Sequence, residues 1–422
     1  MKGSAPVEWG PYLVYERIGA GGMATVHRAE TRGVEGFSRV VALKRLLPQV
    51  SEDPAMVQSF VHEARLASQL HHANVAQTYD LGKVEDTYFI AMEYVPGPTL
   101  GQLVKQCAAA SGSMPIPIAL AILVQICDAL DHAHNLCDDQ GTPLGIIHRD
   151  VSPSNIIVSN TGIVKLIDFG IAKAANSGTK TQAGFIKGKF AYIAPEYTHG
   201  HLDLRADLFG VGVIAHELLT TRPLFHSDND FDTIMKLREM PIQPPSRWNP
   251  QVSRVIDDIV ITALQRDPSL RWQSADAMRT ALVNAARSTD EVVNNQQIVE
   301  WTEWAFTKKP RQDEGVLRVL DMLSEPSSVT HEISIEQLDE LERHTPPPTV
   351  AKAQPVITAA GPAVTAGKVP DTEESGLLIV PPRARRRRAW PVLLVLLGLL
   401  AGGAGYYLYL TDQLPFEIPF EL

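Results

Sequence analysis

The sequence predicts an α+β chain of two unequal lobes, a small β-sheet lobe with one helix followed by a larger helical lobe. Three observations predict it. Residues 11–94 read mainly as short strands, interrupted by one helical pattern. Residues 95–285 are mostly helical patterns. The 422 residues are 45% hydrophobic and 20% charged, enough for a substantial core plus appendages.

The first strand-like runs flank a glycine-rich stretch, RIGAGGMATVHRAE, with Gly19, Gly21 and Gly22 between them. A helix is expected at DPAMVQSFVHEARLASQL. Asp53 can cap it, Pro54 suits its first turn, and Val57, Phe60, Ala64 and Ala67 repeat at helical spacing. KVEDTYFIAMEYV reads as a hairpin turning at Glu85-Asp86. Residues 286–325, with IVEWTEWAF and GVLRVLDMLS, read as a helical extension. Residues 326–388 read as a disordered linker. Its 343–382 stretch is rich in Pro, Ala and Thr and poor in aromatics, and it ends in Arg383 and Arg385–Arg388.

Residues 389–410, AWPVLLVLLGLLAGGAGYYLYL, carry no charge. As a helix they would span about 33 Å, enough for a hydrocarbon core of about 30 Å. Trp390 and Tyr406, Tyr407 and Tyr409 suit its two interfaces. The arginines precede it and no Lys or Arg follows, so the large domain is expected on the cytoplasmic side of the inner membrane. Residues 411–422 then form a short outer tail. The small residues Gly398 and Gly402 suit close helix pairing within the bilayer. The N-terminus, MKGSAPVEWG, has no apolar core of a signal peptide. The net charge of −10 argues against nucleic acid as a partner. Cys107, Cys127 and Cys137 show neither a disulfide framework nor a metal pattern, and all three read as buried thiols in helical text.

The chemistry concentrates in four motifs. Small residues at 19, 21 and 22 let backbone N–H groups approach phosphate oxygens. The alternation after them, ATVHRAET, is a strand pattern, which excludes a glycine-rich turn opening a helix. Lys44 lies in the apolar strand RVVALKRL and needs an anionic partner there, for which Glu63 on the one nearby helix is the candidate. In IHRDVSPSNI, Asp150 and Asn155 are five apart. Asp150 can orient a hydroxyl and accept its proton, and Asn155 can ligate a divalent cation. Asp168, in LIDFGIA, is a carboxylate at the end of an apolar strand, suited to a second metal ligand. AYIAPE follows, with Glu196.

In this order and spacing the motifs resemble the eukaryotic-like Ser/Thr protein kinases, in particular bacterial membrane-anchored members, over residues 11–285. The resemblance implies a bilobal kinase fold, with lobes at 11–94 and 95–285. It implies transfer of the γ-phosphate of ATP, with Mg²⁺ or Mn²⁺, to protein hydroxyls. It also implies signalling at the membrane, activation-loop autophosphorylation and, as a further partner, a second copy of the chain. Residue by residue, it makes Lys44 the phosphate grip and Asn155 and Asp168 the metal ligands. Met92 is then the gatekeeper and Glu93 to Val95 the adenine-binding hinge. Ile18, Val26, Ala42 and Ile157 close around the nucleotide. Asp207 would brace the catalytic loop, and Arg271 would pair with Glu196.

The chain departs from the family at several places. Ala24 replaces a third glycine, and NLCDDQGTPLGI is longer than the usual link and reads as a surface excursion. Ser152 stands where the catalytic-loop lysine usually does, and Lys189 where a threonine usually does. The expectation is an exchange, with Lys189 returning positive charge beside Asp150. Ser177, Thr179 and Thr181 are expected phosphorylation sites whose phosphate could pair with Arg149. The rival reading is a pseudokinase scaffold anchored to the membrane. Against it, Lys44, Glu63, Asp150, Asn155 and Asp168 are all present.

Overall fold

The computed structural model describes residues 5–33, 36, 38–111, 113–170, 190–199, 202–227, 229–289 and 293–308. The chain divides into two units, Met1–Pro348 and Thr349–Leu422, and every described residue belongs to the first.

The small lobe is a six-stranded antiparallel sheet. Its strands are β1 (Val7–Trp9), β2 (Tyr12–Ala20), β3 (Ala24–Arg32), β4 (Ser38–Leu46), β5 (Thr78–Val84) and β6 (Thr87–Glu93), in the order β1-β2-β3-β4-β6-β5. The sheet thus starts before residue 11, because Val7–Trp9 pairs with Tyr12–Val14. The glycine stretch is a hairpin tip, with Gly21 N donating to Ala24 O at 2.9 Å. The Glu85-Asp86 turn forms as expected, with Glu85 in the left-handed region at φ 52°.

Alternation along β4 gives the sheet two different faces. Val41 and Leu43 join Tyr12, Val14, Ala29, Phe89 and Ala91 in an apolar cluster on one face. On the other, Ala24, Leu46 and Ile90 pack against helix α2 (Pro54–Ala67). A short helix that the sequence did not suggest, α1 (Pro48–Ser51), precedes it. The Asp53 side chain caps α2 by accepting from Ala55 N. Met56, Ser59, Phe60, Glu63 and Ala64 form the buried stripe of α2, which turns Glu63 under the sheet.

The large lobe is helical: α3 (Leu100–Gln106), α4 (Ile116–His134), α5 (Arg205–Thr220), α6 (Asp230–Glu239), α7 (Arg254–Ala263) and α8 (Ala275–Arg287). A turn of π-helix, Cys107–Ser111, continues α3. Helix α4 is long and apolar enough to cross a membrane. Its Ile118, Leu120, Ile122, Leu123, Ile126 and Leu130 are buried in the main core, which identifies it as the central helix of the lobe. The apolar span at 389–410 lies outside the described residues.

A two-stranded sheet, β7 (Ile156–Val158) with β8 (Val164–Leu166), lies below the interlobe connection. Gly97, at φ 150°, permits that approach, since a Cβ there would run into the Val158 carbonyl.

One expectation needs correction. Cys107 and Cys127 are buried, but Cys137 is exposed. It lies in the predicted excursion, where Asp138 N donates to Thr142 O and Leu144 N to Leu136 O. The extension past residue 285 is helical where described. α8 ends at Arg287, and α9 (Asn295–Thr307) follows under an Asn294/Gln297 capping box. Ile298, Thr302 and Ala305 are its buried face, and Gln106 Nε2 donates to Ala305 O and Lys308 O. The stretch GVLRVLDMLS lies outside the described residues.

Candidate active site

The buried lysine of β4 finds its partner, and a second one. Lys44 Nζ donates to Glu63 Oε1 and to Asp168 Oδ1, both at 2.9 Å. Burial works against the Lys44 charge, but the Asp168 and Glu63 carboxylates outweigh it and hold the pKa above the usual lysine value. Burial pushes Glu63 up against the pull of Lys44, and Asp168 adds to the rise. Two carboxylates sharing one ammonium leave the cleft with surplus negative charge, which suits a divalent cation.

Asp168 is presented by backbone strain and by packing. Its φ is 54°, unusual for a residue with a side chain. Next to it, Phe169 is buried against the His148 ring, centroids 4.4 Å apart. Gly170 N donates to His148 O at 2.8 Å. His148 Nδ1 accepts from Asp150 N, so its Nε2 is left to donate to Ile167 O at 3.2 Å. One imidazole thereby ties the catalytic loop to the strand leading into Asp168.

Asn155 lies on a 3-10 turn, Pro153–Asn155, that follows Ser152. Its Nδ2 donates to Asp150 Oδ2 at 2.7 Å and to Asp150 O at 2.9 Å. With the NH₂ turned to Asp150, the amide oxygen is the end that can ligate a hard cation. Asn155 and Asp168 are therefore an all-oxygen donor pair of the kind Mg²⁺ or Mn²⁺ takes.

The loop rests on Asp207 of α5. Asp207 Oδ2 accepts from His148 N and Oδ1 from Arg149 N, each at 2.8 Å. His134 Nε2 donates to Oδ2 at 2.9 Å. Burial would raise the Asp207 pKa, but the His134 hydrogen bond and charge outweigh it and hold the carboxyl low. These bonds hold Arg149 in the left-handed region at φ 63°. Arg271 forms the expected pair, with Nη1 and Nη2 each 2.6 Å from one oxygen of Glu196. The Arg271 side chain is fully buried, so the pair is a structural brace.

Among the nucleotide-facing candidates, Val26 is opposite Lys44 and Ala42 opposite Met92. Val95 and Ala42 are buried, Gly19 and Ile157 are half-buried, and Ile18, Gly21 and Gly22 are exposed at the hairpin. Ser152 is 2% exposed and its Oγ is 3.0 Å from Ser154 Oγ. Lys189, Ser177, Thr179 and Thr181 lie outside the described residues.

Three partnerships were not anticipated from the sequence. His134 supports Asp207. The Glu93 side chain pairs with Lys165 of β8. Tyr192 Oη donates to Glu217 Oε2 at 2.8 Å inside the lobe. Glu217 did carry a signal, since a carboxylate in the apolar run GVGVIAHELL needs a partner as Lys44 does.

The chain belongs to the protein kinase domain family, which matches residues 12–283. It is 36% identical over 275 residues to the tyrosine-protein kinase MasK of Myxococcus xanthus, covering 65% of this chain and 43% of that protein. It is 35% identical over 277 residues to the serine/threonine-protein kinase PrkC of Bacillus subtilis, covering 65% and 40%. With the serine/threonine-protein kinase PknB of Mycobacterium tuberculosis, identity is 36% over 280 residues, covering 64% and 42%. The matches thus span less than half the length of these relatives. Among solved structures, the PknI kinase domain of M. tuberculosis is similar at a TM-score of 0.51 and 27% identity, covering 68% of this chain and 99% of that one. The family uses ATP and a divalent metal, and the Asn155–Asp168 oxygens suit that metal.

Burial raises the Glu217 carboxyl from 4.5 to about 7, against the hydrogen bonds from Tyr192 and Leu224 N. A raised folded-state pKa contributes stability below about 4.5 that is lost as pH rises through about 7. Burial lowers neighbouring His216 to about 4, which gives the opposite slope over pH 4 to 6.5. The difference between wild type and Glu217→Gln isolates the Glu217 contribution. Wild-type Tm should fall relative to Glu217→Gln between pH 5 and 7, and parallel curves would refute the assignment.

Proposed function

We propose that the chain is an ATP-dependent protein kinase that transfers the γ-phosphate to serine and threonine hydroxyls of protein substrates. The observation that carries this reading is the undamaged polar cluster. Lys44 bridges Glu63 and Asp168 at 2.9 Å, and Asn155 holds Asp150 at 2.7 Å. A pseudokinase scaffold gives no reason to keep all five groups in register.

In this mechanism Lys44, held by Glu63, grips the α- and β-phosphates, and Gly19, Gly21 and Gly22 cover them. Adenine lies between Ile18, Val26 and Ala42 above and Ile157 below, against Met92 and the Glu93–Val95 backbone. A divalent cation held by Asn155 and Asp168 would neutralise the phosphate oxygens. Asp150 orients the acceptor hydroxyl and takes its proton as the new P–O bond forms and ADP leaves. The contribution is positioning and preorganised charge. Lys189 supplies the positive charge that Ser152 lacks. Phosphate on Thr179 or Thr181 orders the loop by pairing with Arg149.

A second reading concerns the acceptor. Ser152, tucked against Ser154, puts a hydroxyl where the family usually has the catalytic-loop lysine. MasK, 36% identical, is named a tyrosine kinase. Tyrosine is therefore the alternative acceptor.

The wider organisation belongs to the same proposal: a helical extension at 286–325, a linker at 326–388, a single membrane span at 389–410 and an outer tail at 411–422. The kinase domain then works in the cytoplasm at the inner membrane, and pairing through Gly398 and Gly402 or through the kinase domain gives a homodimer. A basic run before an uncharged span, with no basic residue after it, supports that orientation.

Phosphotransfer to a generic protein substrate should fall by at least about a hundredfold in Asp150→Asn. Full activity in that variant would remove Asp150 from the reaction, and no activity in wild type would leave the scaffold reading. Phosphoamino-acid analysis should return phosphoserine and phosphothreonine, whereas phosphotyrosine alone favours the second reading. Lys189→Ala should lower kcat by about tenfold, and adding Ser152→Lys should recover part of it. An unchanged kcat means that no exchange occurred. In inside-out vesicles a C-terminal tag should be protected from protease, and its cleavage would reverse the topology.

A further inference from the structure

Glu93 enters the hinge proposal through its backbone, but its side chain points to a different partner. Its Oε2 lies 2.8 Å from Lys165 Nζ. The same oxygen accepts from Gln77 N at 3.2 Å, and Glu93 N donates to Gln77 O at 2.8 Å. Lys165 Nζ also reaches Val75 O at 3.4 Å. The two side chains are 14% and 26% exposed, so the pair is shielded from most solvent screening.

Lys165 occupies a strategic place in the chain. It lies on β8 opposite Ile157, three residues before Asp168. Its neighbours are fixed by backbone bonds, Leu166 N to Asn74 O at 2.8 Å and Ile167 N to Asn155 O at 2.9 Å. One ammonium therefore joins the segment at 75–77, the first hinge residue and β8, which pairs with the strand of Ile157 and leads into Asp168.

We propose that Lys165 is a positioning residue for ATP, holding the Glu93 backbone in register with Asp168 through the Glu93 carboxylate. The inference rests on the kinase reading above. Among the described residues, the Lys165 ammonium bonds to Glu93 and Val75 and to none of the groups assigned to phosphoryl transfer. Its loss should therefore weaken nucleotide binding and spare the chemical step at saturating ATP. A half-buried carboxylate left without its counter-ion also makes the loss larger than at an exposed pair.

The test uses the full-length protein and steady-state kinetics. Lys165→Met should raise KM for ATP about fivefold with kcat within about twofold, and KM for the protein substrate should hold. Lys165→Arg keeps a positively charged donor and should stay near wild type. The exchanged pair, Glu93→Lys with Lys165→Glu, should recover most of the ATP affinity. Should Lys165→Met not fold, Lys165→Gln carries the same test. An unchanged KM for ATP overturns the proposal. So does an equal rise in both KM values, which would mean general distortion, and so does an exchanged pair that recovers nothing. If the wild-type chain transfers no phosphate, the kinase reading fails. If wild type is active and Lys165→Met matches it, only this inference fails.

Discussion

The carboxylate of Asp207 is the point on which the site depends. Buried on α5, it takes backbone hydrogen bonds from His148 and Arg149 and a side-chain bond from His134. A buried carboxylate is costly unless its oxygens are satisfied, and these three donors satisfy them. In return they hold a strained backbone, with Arg149 at φ 63°, that a loop would not keep by itself. Asp150 follows directly, and Asn155 is set by its bonds to Asp150. The geometry of the cleft is thus built upward from the apolar core of the large lobe.

The opposite wall is built from the sheet. Period-two alternation in β4 puts Val41 and Leu43 in one apolar cluster and sends Lys44 to the other side. The buried stripe of α2 brings Glu63 to meet it. The two walls touch at Lys44 and Asp168, where a small-lobe ammonium meets a large-lobe carboxylate. Phosphoryl transfer needs such convergence, because its catalysis is mainly placement of charge.

Much of this was legible in the sequence. Lys44 and Glu63 could be paired because a charge in an apolar strand demands a partner. The H-R-D and D-F-G stretches carried their own spacing. The hairpin at Glu85-Asp86 followed from turn chemistry. What escaped was tertiary. His134 and Asp207 are 73 residues apart, and no local pattern links them. Lys165 reads as an ordinary strand lysine until its distance to Glu93 is known. Cys137 was misplaced because Leu136 and Cys137 extend the apolar text of α4 by two residues although the helix ends at His134. The strand at Val7–Trp9 was missed because three residues are too few for a periodic signal.

Helix α9 lies past residue 283, where the family match ends. Its Asn295 backbone sits so close to Gly162, on the β7–β8 turn, that a Cβ at Gly162 would run into the Asn295 carbonyl. Its other end is bound by Gln106, the last residue of α3. A recombinant fragment cut at the family boundary would bare the apolar seat of Ile298 and leave the Gln106 amide to water. Such a fragment invites aggregation from a surface that the intact chain covers. A fragment of this domain that keeps α9 on its seat therefore runs at least to residue 308.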